Sequence, residues 1–184
     1  MLALQGNYEM HCKVLEKINI EPVCIKYPYE LDMVQGLIIP GGESTTMSKL
    51  MNRIDLYDSI LSFAKEYPVL GTCAGLILMS NKVVDSNLTP LRLLDINIKR
   101  NGYGRQINSG TANVELKLED ANHSIPASFI RAPKIVDCNN VKVIAQYENV
   151  PVIVGNGKHL GISFHPELDN ITILHEYVFL NGNK

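Results

Sequence analysis

The chain has 184 residues, of which 46% are hydrophobic and 20% charged, a composition typical of a globular protein and unlike that of a disordered one. Its 17 Lys and Arg residues and 19 Asp and Glu residues give a net charge of −2, and without a basic excess we expect neither nucleic acid nor a membrane surface as a partner. No apolar run approaches the ~18 residues of a membrane span, and at roughly 150 residues per domain the length predicts a single domain over residues 1–184.

In the first half of the chain, short apolar segments alternate with helical patterns. Where one of these segments is followed by apolar residues three and four positions apart, we predict an amphipathic helix, and we place the N-cap of the helix after residues 36–40 at Ser44. Alternation of strands and helices predicts a mostly parallel sheet with helices on both faces. The predicted strands are LALQ (2–5), PVCIK (22–26), GLIIP (36–40) and PVLGT (68–72).

The second half is rich in β-branched residues that often alternate with polar ones. This pattern predicts hairpins added to the sheet or standing beside it. The chain closes with a predicted helix, because Ile171, Leu174 and Val178 recur at helical spacing. The predicted strands of this half are LDINIKR (94–100), ANVELKL (112–118), ASFIRA (127–132), VKVIAQY (141–147), PVIVGN (151–156) and HLGISF (159–164).

Cys73 lies at the centre of GTCAG (71–75), between a predicted strand and a predicted helix. Small neighbours allow a sharp strand-to-helix turn, which strains the backbone of the central residue and exposes its side chain at the end of the sheet. The N-terminus of the following helix favours a thiolate there. We therefore interpret Cys73 as a nucleophile; a small buried cysteine in a tight turn is the alternative.

His165 and Glu167 follow the last predicted strand. Residues two apart in an extended segment point to the same side, so Glu167 can accept from one imidazole nitrogen while the other nitrogen faces a nucleophile. A histidine at a strand end beside a surface glutamate is the alternative. Taken together with Cys73, the pair favours a catalytic triad.

Gly41 and Gly42 come directly after the strand predicted at residues 36–40. Two glycines let the backbone turn its N–H groups toward a ligand. With the N–H of Ala74, just after the nucleophile, they predict an oxyanion hole. A plain turn before a capped helix is the alternative.

Five motifs occur in an order that resembles one known family. Together they resemble the glutaminase-subunit family of pyridoxal 5′-phosphate synthases, class I (triad) glutamine amidotransferases with a flavodoxin-like fold. The resemblance covers residues 2–177. GTCAG and HPE are shared with the wider amidotransferase class, whereas the other motifs are more specific to the vitamin B6 branch. The motifs are PGGESTT (40–46), GTCAGLI (71–77), RNGYGRQ (100–106), FIRAP (129–133) and SFHPEL (163–168).

The resemblance implies a role for each matching residue. Cys73 would be the nucleophile, His165 the general base and acid, and Glu167 its orienting group. They would hydrolyse L-glutamine to L-glutamate and ammonia through a γ-glutamyl thioester, with no cofactor and no metal. An amino-acid substrate carries a carboxylate and an ammonium, which suits charged side chains and backbone N–H groups. The implied glutamine-binding residues are Gly42, Glu43, Ser44, Arg100, Ile130 and Arg131.

The resemblance also implies a protein partner. Such glutaminases pass ammonia to a synthase subunit with a (β/α)₈ barrel, in a hetero-oligomeric complex. Gln5 is a candidate for sensing that partner, and Arg105 could support the loop of Arg100 or face the synthase.

Family members usually carry several more residues ahead of the first strand, so we expect that strand to be short. Gly102 stands where they usually have Ala or Ser. Four scattered cysteines without a CxxC pair indicate a reducing cytoplasm.

Three other interpretations stay open. Another triad amidotransferase, such as the histidine-pathway glutaminase, shares GTCAG and HPE but lacks PGGESTT and FIRAP. A regulatory subunit with a relic triad would be free to lose any of the three triad residues, and all three are present. A cysteine peptidase would not release glutamate from glutamine.

The histidines outside the predicted triad lack a partner at a useful spacing and are expected to be solvated or locally hydrogen-bonded. They are His11, His123, His159 and His175.

Overall fold

The computed structural model describes residues 1–84, 86–100, 102, 109–118 and 121–181. A short 3-10 helix spans Pro28–Met33. The α-helices are α1 (Tyr8–Lys17), α2 (Ser44–Arg53), α3 (Leu56–Phe63), α4 (Ala74–Met79) and α5 (Ile173–Phe179). The strands are β1 (Leu37–Ile39), β2 (Val69–Thr72), β3 (Lys82–Val84), β4 (Ile96–Lys99), β5 (Ser109–Leu118), β6 (Ala121–Ile130), β7 (Lys134–Cys138), β8 (Lys142–Tyr147), β9 (Val150–Gly155) and β10 (Leu160–Ile162).

The main sheet has seven strands in the order β1-β2-β10-β9-β8-β5-β6. Strands β1, β2 and β10 are parallel, and β9, β8, β5 and β6 continue the sheet in antiparallel fashion. The predicted hairpins β5–β6 and β8–β9 are therefore confirmed. They extend the sheet on the side of β10, away from β1.

Beyond β1, the two strands predicted at residues 2–5 and 22–26 are reduced to one parallel bridge between Leu2 and Ile25. Leu2 N–H donates to the Ile38 carbonyl at 2.9 Å, and Ala3 N–H donates to the Ile25 carbonyl at 2.9 Å. The first residues thus lie between Ile25 and β1. Counted along the chain, the segments of this part of the sheet are those at Leu2 and Ile25, followed by β1, β2 and β10. Across the sheet they lie in the order 2-1-3-4-5, which is the flavodoxin-like order.

The two faces of the parallel part bury different residues of the same strand. Leu37 and Ile39 of β1 pack with α2, α3 and α4, whereas Ile38 packs with α1 and α5. Successive side chains of a strand point to opposite faces, so a continuous apolar run is needed where both faces are covered. The prediction of an α/β fold with helices on both faces of a parallel sheet and added hairpins is confirmed, and the hairpins make the seven-stranded sheet mixed as a whole.

A second sheet of three strands, in the order β3-β4-β7, stands beside the main one. The sequence analysis predicted β4 and missed both of its neighbours. Strand β3 has three residues, and β7 has five in the pattern KIVDC, with polar residues at both ends of the apolar pair. Segments this short carry too little periodicity to be distinguished from loops.

The helix after the two glycines begins one residue earlier than predicted. Its N-cap is Glu43, whose carboxylate accepts from the N–H groups of Thr45 at 3.0 Å and Thr46 at 2.7 Å. The assignment of Ser44 as the N-cap is wrong, because the longer side chain of Glu43 bends toward the helix and caps the amides of Thr45 and Thr46 from one position earlier. Ser44 is the first helical residue and is buried.

Within the described residues, no helix combines the length and the apolar character that crossing a bilayer requires. In the same residues, no group of three or more His, Cys, Asp or Glu side chains is arranged so that it could hold a metal ion.

Candidate functional site

Cys73 stands between β2 and α4 in a backbone conformation that is rare for a residue with a side chain, with φ +49° and ψ −101°. Its N–H donates to the Ile162 carbonyl of β10 at 2.9 Å, which ties the turn to the neighbouring strand. A Cβ on Gly75 would overlap the Ile39 carbonyl oxygen, so the helix can approach β1 this closely only with glycine there. These contacts produce the strained turn that the sequence predicts for this segment.

His165 follows β10 and is held on both its backbone and its ring. Its N–H donates to the Ser128 carbonyl at 3.0 Å, and Nδ1 lies 2.7 Å from Glu167 Oε1. Burial is the largest single influence on the pKa of His165 and lowers it. Hydrogen bonds and charge interactions with Cys73 and Glu167 outweigh burial and raise that pKa from 6.5 to about 10. The imidazole therefore carries a proton at neutral pH and is linked to both partners.

The segment that carries His165 and Glu167 is anchored to β6 by Asp169. Its carboxylate accepts from Ser128 N–H at 2.9 Å and from Ser128 Oγ at 3.0 Å. A carboxylate that accepts two hydrogen bonds from one residue fixes direction as well as distance. The loop after β10 is thus held at the same strand to which His165 N–H is bound.

A cavity of about 470 Å³ opens above Cys73 and His165. Glu167 and Ala74 are buried behind its wall and are not among the lining residues. Three further residues line it that the sequence analysis did not assign to substrate: Gln5, Asn7 and Ile77. Spacing could have found Ile77, which is one helical turn beyond Cys73. Of the predicted binding and oxyanion residues, those that line the cavity are Gly41, Gly42, Glu43, Ser44, Arg100, Ile130 and Arg131.

A larger open depression of about 680 Å³ lies between the 3-10 helix and α3. It contains none of the three residues predicted to form a triad, and its lining side chains form no pair of a nucleophile and a base. Chemistry therefore favours the smaller cavity as the candidate site.

Charge at the mouth of the cavity is balanced between Glu43 and Arg100. Arg100 donates to Glu43 Oε1 at 3.1 Å and to Thr45 Oγ1 at 3.1 Å. The hydrogen bond from the Thr46 hydroxyl is the strongest influence on the pKa of Glu43. Together with hydrogen bonds from the amides of Thr45 and Thr46, it lowers this pKa to about 2. Glu43 is thus a fixed anion and Arg100 its cation.

Gln5 reaches the same loop from the first residues of the chain. Its Oε1 accepts from Glu43 N–H at 2.8 Å. A Cβ on Gly42 would come within 2.5 Å of the same oxygen, so the amide of Gln5 rests against the second glycine. Arg105, the other residue considered for the partner surface, lies outside the described residues.

Ser44 presents a free hydroxyl at the cavity wall. The residue is 2% exposed, and its Oγ has no hydrogen-bond partner among the described residues. Buried hydroxyls are normally satisfied, so an unpaired one beside a cavity marks a position where a ligand atom can bind.

Two histidines expected to be solvated or locally hydrogen-bonded, His11 and His175, are buried beside Glu167. His11 Nδ1 lies 3.0 Å from His175 Nε2, and His11 Nε2 lies 3.3 Å from Glu167 Oε2. His175 also makes the local contact that was expected, to the Ile171 carbonyl at 3.1 Å. No local spacing signals the long-range contacts, because α1 and α5 meet only in the folded chain.

Comparison with known proteins gives a consistent result. The profile of the SNO glutamine amidotransferase family matches residues 1–182. The pyridoxal 5'-phosphate synthase subunit PdxT of Thermosipho africanus is 45% identical over 183 residues, which cover 98% of this chain and 96% of that protein. PdxT of Thermoplasma volcanium is 42% identical, with 99% of this chain and 93% of that protein covered.

Solved structures agree with the sequence comparisons. A crystal structure of a glutamine amidotransferase superposes with a TM-score of 0.90 at 34% identity, covering 96% of this chain and 94% of its own. A glutamine amidotransferase from Thermotoga maritima superposes with a TM-score of 0.59 at 17% identity, covering 86% of this chain and 70% of its own, and shows the shared fold.

Proposed function

The chain belongs to the SNO glutamine amidotransferase family, and we propose that it hydrolyses L-glutamine to L-glutamate and ammonia for pyridoxal 5′-phosphate synthesis. The observation that carries this proposal is the arrangement of Cys73 on a strained turn, with His165 bonded to Glu167 at 2.7 Å, at one wall of a cavity of about 470 Å³. A nucleophile, a base and an orienting carboxylate in this order form the minimum set for acyl transfer.

In the first half of the reaction, the Cys73 sulfur attacks the side-chain amide carbon of glutamine. The carbonyl becomes a tetrahedral oxyanion, which backbone N–H groups of Gly41, Gly42 and Ala74 stabilise. The carbon–nitrogen bond then breaks, and His165 gives its proton to the leaving nitrogen. Ammonia departs and a γ-glutamyl thioester remains on Cys73.

In the second half, water attacks the thioester and His165 takes a proton from that water. The carbon–sulfur bond breaks, glutamate leaves, and the Cys73 sulfur and the His165 proton are restored. The raised pKa of His165 supports this assignment, because an imidazole that is protonated at neutral pH is ready to donate in the first half. Glu167 keeps the ring in place and stabilises its charged form.

The substrate is held by groups that match its two charges. Arg100 and Arg131 offer cations to the α-carboxylate, and the Glu43 carboxylate lies at the same cavity for the α-ammonium. The unpaired Ser44 hydroxyl supplies a further hydrogen bond. Backbone atoms of Gly42 and Ile130 complete the predicted set.

We further propose a synthase partner. The relatives' name makes each of them a subunit of pyridoxal 5'-phosphate synthase, and the resemblance implies a barrel subunit in a hetero-oligomer. Ammonia released into water becomes ammonium, which is not a nucleophile, so direct passage to the partner is chemically sensible. Glutamine hydrolysis is expected to be weak until the partner docks.

The test is glutamate release from L-glutamine by this chain and by Cys73→Ala, with and without a synthase subunit from a relative. A matched control is Cys138→Ala, which removes a half-buried thiol on β7 that does not line the cavity. We expect synthase-dependent activity that Cys73→Ala abolishes and Cys138→Ala keeps. Full activity of Cys73→Ala would refute the mechanism. Activity indifferent to the synthase would keep the hydrolysis and refute the partner.

A further inference from the structure

Behind the triad lies a cluster of polar side chains from four parts of the chain. It contains His11 of α1, Thr72 of β2, Glu167 after β10 and His175 of α5, and each of these residues is 0% exposed. Buried polar groups of this kind must satisfy one another, so their contacts define where the protons are.

The proton positions follow from the far end of the cluster. His175 Nδ1 lies 3.1 Å from the Ile171 carbonyl, which can only accept, so Nδ1 carries a proton. Burial lowers the pKa of His175 to about 4, so the ring is neutral and its Nε2 is an acceptor. His11 Nδ1, 3.0 Å from that nitrogen, therefore donates to it.

The same reasoning fixes the other nitrogen of His11. Burial is the main cause that lowers the pKa of His11 well below 6.5, and the unfavourable interaction of a protonated His11 with His175, His165 and the N-terminal amine lowers it further. The ring is neutral, and its Nε2 accepts the hydroxyl proton of Thr72 at 3.1 Å. A single chain of hydrogen bonds thus runs from Thr72 through His11 and His175 to the Ile171 carbonyl.

Glu167 Oε2 is left outside this chain. It lies 3.3 Å from His11 Nε2, which has no proton to give, and it has no hydrogen-bond partner among the described residues. The other oxygen, Oε1, is bound to His165 at 2.7 Å. A fully buried carboxylate with one satisfied oxygen is unusual and requires an explanation.

We propose that His11 is a positioning residue for the triad. Its Nδ1 proton is bound to His175 and its Nε2 accepts the Thr72 hydroxyl, so His11 gives no proton to Glu167 Oε2 and this carboxylate binds His165 alone. The proposal rests on the proposed function of Cys73, His165 and Glu167. His11 does not line the cavity, so it acts through Glu167 and not on the substrate.

The consequence is chemical. A carboxylate whose charge is compensated by one partner stabilises the protonated form of that partner more than a carboxylate that shares its charge among several donors. The raised pKa of His165 agrees with this. The titratable groups that face His11 are His175 from α5, Glu167 and His165 from the segment after β10, and the amine of Met1.

The first test reads the proton positions in the unaltered chain. The chain has five histidines, so ¹⁵N-histidine labelling gives a simple spectrum, in which the imidazole nitrogens distinguish the neutral tautomers from the cation. We expect His11 and His175 to be neutral and protonated at Nδ1 from pH 6 to pH 8. A cationic His11, or one protonated at Nε2 alone, would overturn the proposal. Because this test needs no turnover, it stands even if glutamine hydrolysis is absent.

The second test compares His11→Gln with His11→Met. The amide of Gln supplies a donor to Glu167 Oε2, so the pKa of His165 should fall by about one unit, with kcat down about tenfold and KM for glutamine unchanged. The apolar side chain of Met gives Oε2 no donor of its own but removes the acceptor of the Thr72 hydroxyl, so the pKa of His165 should fall by less than in His11→Gln, and Thr72→Val in the same chain should cancel that fall. A rise of this pKa in His11→Met with no change in His11→Gln would show that His11 donates to Glu167 and would refute the proposal.

His159→Leu is the matched control for these variants. His159 is also buried and its Nδ1 accepts one backbone N–H, that of Val69 at 3.1 Å, but it lies outside the triad cluster. We expect the pKa of His165 to be unchanged in this variant. A change equal to that in His11→Gln would mean that any loss of a buried histidine has the same effect, and would count against a specific role of His11.

Discussion

Gly41 and His165 approach so closely that no side chain fits between them. A Cβ on Gly41 would overlap His165 Cε1, come within 3.0 Å of Nδ1 and lie 3.5 Å from Cys73 Cβ. Glu167 holds the imidazole from one side and the backbone of Gly41 packs against the ring. The glycine loop therefore helps to set the ring position that the proposed reaction requires.

Gly41→Ala should abolish most glutamine hydrolysis. The methyl group must displace His165 or the loop itself, and a misplacement of about 1 Å at a reacting group costs about 100-fold in rate. Glutamate release is the measurement, with circular dichroism as the check on folding. The control is Gly110→Ala on β5, where no described heavy atom lies within 4 Å of the new Cβ. If Gly41→Ala kept more than a tenth of the activity, the packing of the ring against the loop would be unimportant.

The free energy of unfolding should be greatest near pH 6.5. The pKa of His11 and of His175 is lowered by burial, so each contributes stability that is present above pH 6.5 and lost as the pH falls below it. For His175 this loss extends down to about pH 4. The pKa of His165 is raised to about 10, so its contribution is present below 6.5 and lost as the pH rises. Each titration gives a slope of about 1.4 kcal/mol per pH unit.

Urea unfolding between pH 5 and pH 8 measures both slopes. The upper limit avoids titration of the cysteine thiols. His165→Asn should flatten the alkaline slope and leave the acid slope, because it removes the one histidine among these whose pKa is raised. The amine of Met1, whose pKa is lowered by burial, contributes the opposite slope in this range to both chains. A profile from pH 6.5 to pH 8 that is the same in the unaltered chain and in His165→Asn would therefore contradict the assigned direction for His165.

Arg100→Met should weaken glutamine binding more than it slows the chemistry. Arg100 lines the cavity and balances Glu43, so its loss removes a cation and leaves an anion beside the substrate. A hydrogen bond to a charged group is worth about 1.5–3 kcal/mol, which corresponds to an increase in KM of about 10- to 100-fold. Steady-state kinetics with glutamine provide the measurement.

Lys99→Met is the control for Arg100. Lys99 is the preceding basic residue, is exposed on β4 and does not line the cavity. Its replacement should leave KM within about twofold. An equal effect of the two variants would mean that general charge, and not the position of Arg100, attracts the substrate.

Local sequence predicted the strained turn of Cys73 and the contact of His165 with Glu167, because both geometries are local. The strained turn of Cys73 follows from small residues on both sides, and the pairing of His165 with Glu167 follows from a spacing of two after a strand. The cap at Glu43 was missed for a local reason as well: a serine at the next position fits the usual preference, and only the fold shows which carboxylate reaches the amides.

The cluster behind the triad could not be predicted in this way. His11 and His175 are separated by 164 positions and meet because α1 and α5 pack on the same face of the sheet. The first two strands show the converse case. The mainly apolar segments at residues 2–5 and 22–26 lie side by side, yet their backbones form one bridge pair where two strands were predicted. How many backbone hydrogen bonds a segment makes depends on the neighbouring segment, which its own sequence does not specify.

Gln5→Ala should reduce the stimulation of glutamine hydrolysis by a synthase subunit. Gln5 Oε1 accepts from Glu43 N–H at 2.8 Å and rests against Gly42, so the first residues of the chain are coupled to the predicted oxyanion loop. A partner that displaces Gln5 would free this N–H and let the loop reorient toward the oxyanion. Without the amide, docking has less to change, and the ratio of stimulated to basal rate should fall about tenfold.

The ratio is measured from glutamate release at saturating synthase, with binding of the synthase followed separately by calorimetry so that lost docking is not mistaken for lost coupling. Gln146→Ala on β8 removes an exposed glutamine far along the sheet from β1 and should leave the ratio unchanged. A Gln5→Ala variant that binds the synthase normally and keeps the full ratio would exclude Gln5 from the coupling. The partner signal would then have to reach Gly41 and Gly42 by another route, for which the Asn7 N–H to Gly41 carbonyl contact at 3.4 Å is the next candidate.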